Sequence, residues 1–276
     1  MQIETSNSSI KLAESSGTVQ AKHVIRLPHL SEETRSLLTE ADTDPKLISK
    51  INFTDHGGTV LTNVQVQLIF WGREWDSYPP PSPTVSEITK AITTILSSSY
   101  MSELSQYRSI SSGSLLESKV VITSEPPKSF KNNDVAHLIQ GLIDTETVVS
   151  PLDKNQILYF VIMPVNAKAD KSFVGEHTFL KYKNKKSSQS ANVHFAWVTN
   201  NGQLDFITTV FSHELVESCT DPEGTAFLGT AGTCSQSGWC EIADVCTSTG
   251  KVNGVTVQSY WSQHSKTCVI PTDVHS

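Results

Sequence analysis

The sequence predicts an α/β protein in which helices pack on a mixed β-sheet. Segments with strand composition alternate along the chain with segments whose apolar residues recur at helical spacing, which is the pattern of helices laid against a sheet. One segment, residues 157–164, is continuously apolar, as is typical of a strand covered on both faces. All the cysteines lie in the last quarter of the chain, which predicts a loop-rich carboxyl-terminal segment stapled by disulfides.

Four segments are predicted to be strands. Residues 59–72 alternate apolar and polar side chains and are rich in β-branched and aromatic types, which favour a strand that enters the core. Further strands are predicted at residues 119–123, 157–164 and 193–198. Between the last two, we expect a polar loop that runs through the lysines of residues 181–190.

Three helices are predicted from apolar residues at helical spacing. The first begins near Val85, after a rigid proline-rich loop, and extends toward Leu104. The second ends at or soon after Asp144. The third contains residues 211–220 and is stopped by Pro222, which cannot continue a helix.

The chain divides into an appendage and a main domain. Residues 1–54 are predicted to form an amino-terminal arm or a pro-segment, rich in serine and threonine, with one short helix at residues 30–38. Residues 55–276 are predicted to form the main domain. The amino terminus lacks the basic start and apolar core of a secretory signal, so either a signal was removed or the protein does not leave the cell by that route.

Composition and charge exclude two classes of partner. The formal net charge of -7 gives no basic field that would attract phosphates, so nucleic acid is not an expected partner. No stretch approaches the roughly twenty continuous apolar residues that a membrane span needs. The sequence gives no indication of the oligomeric state.

The third helix carries the main chemical signal, a His-Glu-x-x-Glu motif. His213 and Glu217 are four residues apart and project from the same side of the helix, so both can bind one ion, while Glu214 lies on the adjacent face. This is the metalloprotease arrangement His-Glu-x-x-His with the second histidine replaced by a carboxylate. We predict that His213 and Glu217 are metal ligands and that Glu214 is the general base.

A catalytic zinc takes three protein ligands, so a third must come from elsewhere in the chain. We assign Glu241 as the third ligand and Asp244 as the acceptor for the second ring N–H of His213. The reverse assignment is also open, and Asp221 is a candidate for either role. Zn²⁺ is the expected ion, because a histidine among carboxylates favours a transition metal over calcium.

An electrophile must stabilise the developing oxyanion of such a reaction. Tyr260 is the first candidate, as a phenol close to the carboxyl-terminal loop, and His264 is the second. We interpret most of the other histidines as structural or surface residues, since none has a carboxylate partner at ligand spacing: His56, His137, His177 and His194.

The cysteine positions lack the paired knuckles of a structural zinc site, so disulfides are expected. We pair Cys246 with Cys268 and Cys234 with Cys240, which leaves Cys219 as a buried thiol on the third helix. The alternative is five reduced cysteines in a cytosolic protein.

Several motifs follow one another in a fixed order. Gly-Gly-Thr-Val-Leu at 57–61 leads to Leu-Ile-Phe-Trp-Gly at 68–72, around the first predicted strand. The later motifs are Ser-His-Glu-Leu-Val-Glu at 212–217, Thr-Asp-Pro at 220–222, Glu-Ile-Ala-Asp-Val-Cys at 241–246 and Val-Gln-Ser-Tyr-Trp-Ser at 257–262. Together they cover most of residues 55–270 and resemble the phosphate-induced, EXORDIUM-like protein family. The resemblance implies a zincin-like, metallopeptidase-type domain with an active-site helix. It also implies an extracellular location, although the chain departs from the family in its missing signal and in the loop at 181–190.

Two functions from different classes follow. The first is a zinc-dependent metallopeptidase that hydrolyses peptide bonds in a peptide or protein substrate by a metal-bound water, with Glu214 as the base. The second is a non-catalytic extracellular binding or signalling protein that keeps a zincin-like scaffold, in which the acidic cluster holds calcium or no ion. The substrate is not determined by the sequence.

Overall fold

The protein is described from a computed structural model, which covers residues 51–154, 156–171, 173–229 and 241–272. Nearly all of the predicted arm or pro-segment, with its short helix at residues 30–38, lies outside the described residues. The predicted pair of Cys234 and Cys240 also lies outside them.

Thirteen short and long strands occur in the described part of the chain. They are β1 Phe53–Asp55, β2 Gln65–Trp71, β3 Ser114–Val121, β4 Ser129–Phe130, β5 Ile157–Ile162, β6 Lys168–Ala169, β7 Gly175–Lys183, β8 Ser190–Val198, β9 Phe227–Gly229, β10 Thr249–Val252, β11 Val255–Gln258, β12 Tyr260–Ser262 and β13 Thr267–Val269. Three α-helices accompany them: α1 Val85–Ser97, α2 Asn132–Asp144 and α3 Leu204–Thr220. Two 3-10 helices cover Arg73–Asp76 and Ser99–Gln106.

A five-stranded mixed sheet organises the fold, in the order β3-β2-β5-β8-β7. The first four strands are parallel to one another, and β7 runs antiparallel to β8 at one edge. The predicted α/β class with a mixed sheet is therefore confirmed. The remaining strands form two-stranded pairs, including the hairpins β10–β11 and β12–β13 near the carboxyl terminus.

The central strand β5 separates two hydrophobic cores. Its side chains alternate between the two faces of the sheet, so Leu158 and Phe160 enter the core with α1 and α3, while Tyr159 and Val161 enter the core with α2. All six residues of β5 are buried, which confirms the prediction of a strand covered on both faces.

Helix α3 is enclosed by the rest of the protein. It packs against β7 and β8 of the sheet, against α1, and against β11 of the carboxyl-terminal hairpin. Every residue from Val210 to Thr220 is buried. A helix that is buried all round belongs to the core, so its polar side chains need partners from neighbouring elements.

The polar loop predicted at residues 181–190 is shorter in the structure, where it covers only residues 184–189. β7 continues to Lys183 and pairs with β8 from Ser190 onward, so only a short turn separates the two strands. Leu180 and Tyr182 are buried while Lys181 is exposed, and this alternation has the two-residue period of a strand. Lys181 and Lys183 lie on the solvent face of this edge strand, where charge discourages pairing with another chain, and Lys185 and Lys186 lie in the loop.

Two other predicted elements differ in length. β2 begins only at Gln65, because the preceding chain turns toward α3, where the Leu61 N–H donates to the Cys219 carbonyl at 2.9 Å. The first helix ends at Ser97 and is followed by a separate 3-10 helix that includes Leu104.

The carboxyl-terminal segment is stapled as predicted by a disulfide between Cys246 and Cys268. Cys219 is a free, buried thiol on α3, also as predicted. Among the described residues, no helix has both the length and the apolar content needed to span a bilayer.

Removal of this disulfide should destabilise the protein. The bridge closes a loop with a sequence separation of 22, so the double variant Cys246→Ala/Cys268→Ala should lose about 3 kcal/mol of unfolding free energy. Urea unfolding with and without a reductant measures this. Cys219→Ala is the control, since it should keep a reductant-dependent midpoint that the double variant loses. Equal midpoints of wild type and double variant would contradict the prediction.

Candidate metal centre

The site is built on the carboxyl-terminal half of α3. His213, Glu214 and Glu217 are at most 1% exposed there, and the helix ends three residues after Glu217. Helical spacing places His213 and Glu217 on one side, as the sequence predicts. Their ionisable groups are therefore held in the core, where each must find a partner or a cation.

His213 meets carboxylates from two elements. Its Nε2 lies 3.1 Å from Glu217 Oε1 and 3.6 Å from Asp244 Oδ1. The contact with Glu217 lacks hydrogen-bond geometry, so the two atoms lie side by side rather than point at each other. These three atoms are close enough together to bind one metal ion.

Asp244, rather than Glu241, is thus the carboxylate that the structure brings to His213. The second carboxylate oxygen of Asp244 accepts a hydrogen bond from the Glu241 main-chain N–H at 3.1 Å, which fixes the turn and aims Oδ1 at the ring. This is the reverse of our first assignment of the third ligand. Glu241 lies on the other side of the cluster.

The group beside the second nitrogen of His213 is an amide that sequence reasoning missed. The side-chain amide nitrogen of Gln258 lies 3.0 Å from His213 Nδ1 and donates to the Cys246 carbonyl at 2.7 Å. As placed, the amide can donate to Nδ1 only if Nδ1 carries no hydrogen. Ligation through Nε2 puts a hydrogen on Nδ1, so the amide would have to turn its oxygen to the ring and give up its bonds to the Cys246 and Ala243 carbonyls. Gln258 lies in the Val-Gln-Ser-Tyr-Trp-Ser motif, but its spacing from α3 gives no local signal.

His177 is the second functional residue that sequence reasoning missed. It lies on β7, and its Nδ1–H donates to Glu214 Oε2 at 3.2 Å, while Glu217 Oε2 is 3.7 Å away. Its other ring nitrogen lies 3.5 Å from Glu241 Oε1. His177 is therefore not a surface residue, and the expectation that it lacks carboxylate partners is wrong. Its carboxylate partners come from α3 and the 241–246 turn, so no spacing along the sequence reveals them.

The edge strand passes very close to α3 beside this histidine. A Cβ atom on Gly175 would lie 2.4 Å from Val210 Cγ1 and 2.7 Å from Glu214 Oε1. Such distances are shorter than van der Waals contact, so only glycine fits here. Gly175 therefore sets how near β7 brings His177 to the helix.

Asp221 lies at the end of α3 and mainly supports the backbone. Its Oδ1 accepts from the main-chain N–H groups of Thr225 and Ala226 at 2.6 and 2.7 Å. This matches the plain interpretation of Asp221 as a turn-forming helix stop. Its other oxygen is buried without a hydrogen-bond partner, on the edge of the cluster.

The structure does not support Tyr260 as the electrophile. Its ring is fully buried against Tyr100, and its hydroxyl donates to the Tyr100 main-chain carbonyl. Burial raises the pKa of Tyr260 well above its usual range. The phenol proton is thus committed inside the core. The second candidate, His264, is exposed on the turn between β12 and β13.

The cluster holds more negative charge than its own histidines balance. It contains five carboxylates, of Glu214, Glu217, Asp221, Glu241 and Asp244, against two imidazoles. Six of the carboxylate oxygens are buried without a hydrogen-bond partner: Glu214 Oε1, both oxygens of Glu217, Asp221 Oδ2 and both oxygens of Glu241. Buried charge of one sign is costly unless cations compensate it, so the donor set fits a divalent metal ion.

The pKa values of the cluster's side chains reflect the same excess of carboxylates over imidazoles. Burial raises the pKa of Asp244 to about 8 and that of Glu241 well above its usual range. Burial by itself would lower the pKa of His213, but the charge of Glu217 and of the other carboxylates outweighs it and raises the pKa to about 10. The pKa of His177 is also raised, against the effect of burial, by the charges of Glu241 and Glu214.

Comparisons with known proteins do not identify a family. No family model matches the chain, and neither the curated proteins nor the solved structures contain a match. The geometry of the site is therefore what supports a function.

The contact of Gly175 with α3 should be sensitive to one added methyl group. Gly175→Ala should reduce the unfolding free energy by about 1–3 kcal/mol through overpacking against Val210 and Glu214. Chemical denaturation measures the change. The matched control is Gly141→Ala in α2, where nothing lies within 4 Å of the added Cβ, so stability there should stay equal or rise. Equal loss in both variants would contradict the close packing of β7 on the helix.

Gln258 should tune metal affinity without contacting the ion. Gln258→Leu removes the group that orients His213, and we expect a loss of about 10–100-fold in zinc affinity, as for other partners of ligating histidines. Competition with a chelating dye measures the affinity. Gln67→Leu is the control: Gln67 is also buried but donates to the Glu117 carbonyl, far along the chain from the cluster. Unchanged affinity in Gln258→Leu would rule out this role.

Proposed function

We propose that the protein is a zinc-dependent metallopeptidase of zincin-like type. The observation that supports it is that two carboxylate oxygens meet one imidazole nitrogen. Glu217 Oε1 lies 3.1 Å from His213 Nε2, and Asp244 Oδ1 lies 3.6 Å from the same nitrogen. Ligand atoms at zinc distances of 2.0–2.2 Å in a tetrahedron are about 3.3–3.6 Å apart. Zinc held there would polarise the peptide carbonyl and acidify a water.

Glu214 is the proposed general base. Two carboxylates and a neutral imidazole leave a zinc site without net charge, so the water is less acidified than beside three histidines and needs a stronger base. Burial raises the pKa of Glu214, which makes its carboxylate a stronger base. Its Oε2 is held by His177, and its Oε1 has no hydrogen-bond partner.

In this scheme the Glu214 carboxylate takes a proton from the attacking water as the new C–O bond forms. The same carboxyl group then gives that proton to the amine nitrogen as the C–N bond breaks, so a carboxylic acid and an amine leave. The side chain of Asp244 is 17% exposed, more than those of His213 and Glu217 at 1% each. Solvent and substrate are therefore proposed to approach from the side of Asp244.

The resemblance to the phosphate-induced, EXORDIUM-like family is part of the proposal. Residues from its motifs at 212–217, 241–246 and 257–262 meet in one cluster, which is the expected result if the motifs mark a shared site. An extracellular location is also proposed, because the Cys246–Cys268 disulfide is typical of an oxidising compartment.

A non-catalytic binding protein is the second candidate, favoured by the depth of the cluster. The exposure of His177, His213, Glu214, Glu217 and Glu241 is 4% or less. Such burial suits an ion that stabilises a scaffold as well as one that meets a substrate. In this alternative the ion is retained, but no bond is broken.

Substitution of the base separates binding from catalysis. Glu214→Gln should keep zinc at the His213 set, because it is not one of those three ligands, and should lower turnover of an unfolded protein substrate by about 10²–10⁴-fold. His213→Ala should lose zinc from this set together with activity. Zinc content by mass spectrometry and peptide release by amine labelling are the measurements.

Glu223→Gln is the matched control. Glu223 is a partly buried glutamate that accepts hydrogen bonds from Asn192 and His194 outside the cluster, so its variant should keep both zinc and turnover. Full activity in Glu214→Gln would exclude it as the base. Wild-type protein that binds calcium in a fixed ratio, takes up no zinc and shows no hydrolysis would replace the peptidase with the scaffold.

A further inference from the structure

We propose that the cluster binds two divalent cations, bridged by the carboxylate of Glu217. The inference rests on the metal site of the proposed function but does not depend on peptide hydrolysis. Two sets of ligand atoms, each close enough to bind one ion, share Glu217: His213 with Glu217 and Asp244, and His177 with Glu214 and Glu217.

The two oxygens of Glu217 face different histidines. Oε1 lies 3.1 Å from His213 Nε2, and Oε2 lies 3.7 Å from His177 Nδ1. Neither oxygen has a hydrogen-bond partner, and the side chain is fully buried. A carboxylate with one unpartnered oxygen aimed at each of two imidazoles is arranged as a bridge, with ions about 3.5–4 Å apart as in other two-metal sites.

The second set has the separations of a metal coordination shell. Glu214 Oε2 and Glu217 Oε2 lie 3.2 and 3.7 Å from His177 Nδ1, close to the edge of about 3.3–3.6 Å expected between ligands of one zinc. An ion bound at Nδ1 leaves the ring hydrogen on Nε2. That nitrogen lies 3.5 Å from Glu241 Oε1 without a hydrogen bond, so a small shift on metal binding would make Glu241 the acceptor that ligating histidines usually have.

Charge balance favours two ions over one. If all five carboxylates of the cluster lose their protons on metal binding and the imidazoles are neutral, one divalent ion compensates two of the five negative charges and two ions compensate four. Glu241 and Glu217 are fully buried, with all four oxygens unpartnered, so hydrogen bonds from the described residues do not compensate them. A second cation beside His177 provides the missing positive charge.

The two ions differ in their surroundings, which gives them different roles. All three ligands of the His177 set are buried, so this ion is fixed in the core and joins β7 to α3. The His213 set includes the partly exposed Asp244 and is the one that meets solvent. Glu214 is placed to bind the inner ion through Oε2, while its Oε1 lies against Gly175 of β7.

Metal loading of the full protein tests the inference. Protein stripped with a chelator and refilled with Zn²⁺ should hold two ions per chain after desalting, measured by mass spectrometry. Refilling with Mn²⁺ should give the spin-coupled electron paramagnetic resonance signal of a bridged pair once the second equivalent is added. One zinc per chain, or two manganese ions without coupling, would overturn the inference.

The inner site is tested by one histidine variant and its matched control. His177→Gln should reduce bound zinc from two ions to one, with the remaining ion still sensitive to His213→Ala. His194→Gln should keep two ions, because His194 is also a buried strand histidine hydrogen-bonded to a glutamate, Glu223, outside the cluster. Two ions retained in His177→Gln would overturn the second site.

The result separates this inference from the proposed peptidase. Two coupled ions without hydrolysis of any peptide substrate would support the dinuclear centre and refute the peptidase. One ion with hydrolysis that is lost in Glu214→Gln would refute the dinuclear centre and support the peptidase. If His177→Gln does not fold, the manganese spectrum of the wild-type protein decides alone.

Discussion

The burial of ionisable side chains on α3 is the constraint on which the rest of the structure depends. The helix lies between the sheet, α1 and the carboxyl-terminal hairpin, and every residue of its second half is buried. His213, Glu214 and Glu217 therefore have no access to bulk water that would solvate their charges. Elements far apart in sequence must bring counter-charges, hydrogen-bond partners or metal ligands to this one helix face.

Three segments meet this requirement by different means. The antiparallel edge strand β7 brings His177, and its approach is limited by the space at Gly175. The turn at residues 241–246, held by the Cys246–Cys268 disulfide, brings Glu241 and Asp244. The 241–246 turn thus adds two carboxylates to those already on α3, and protons or cations have to compensate this buried negative charge.

Strand β11 is the third segment, and a group of hydroxyls fastens it to α3. The Ser212 hydroxyl accepts from the Gln258 main-chain N–H at 2.9 Å, and the Tyr100 hydroxyl donates to the Gln258 carbonyl at 2.7 Å. Tyr260 in turn donates to the Tyr100 carbonyl. Tyr260, which the sequence suggested as an electrophile, thus holds in place the backbone that positions Gln258 against His213. Its contribution to the site is positional.

The sequence by itself determined what depends on neighbours along the chain. Helical spacing put His213 and Glu217 on one side of α3, the apolar run at 157–164 gave the doubly covered strand β5, and clustered cysteines predicted the disulfide that staples the tail. Only the tertiary structure decided that Asp244 meets His213 and that His177 completes the cluster. Those contacts join β7, α3 and the 241–246 turn, which are far apart along the chain. Such pairings depend on how the layers of the fold pack, and they produce no periodic pattern of residues in the sequence.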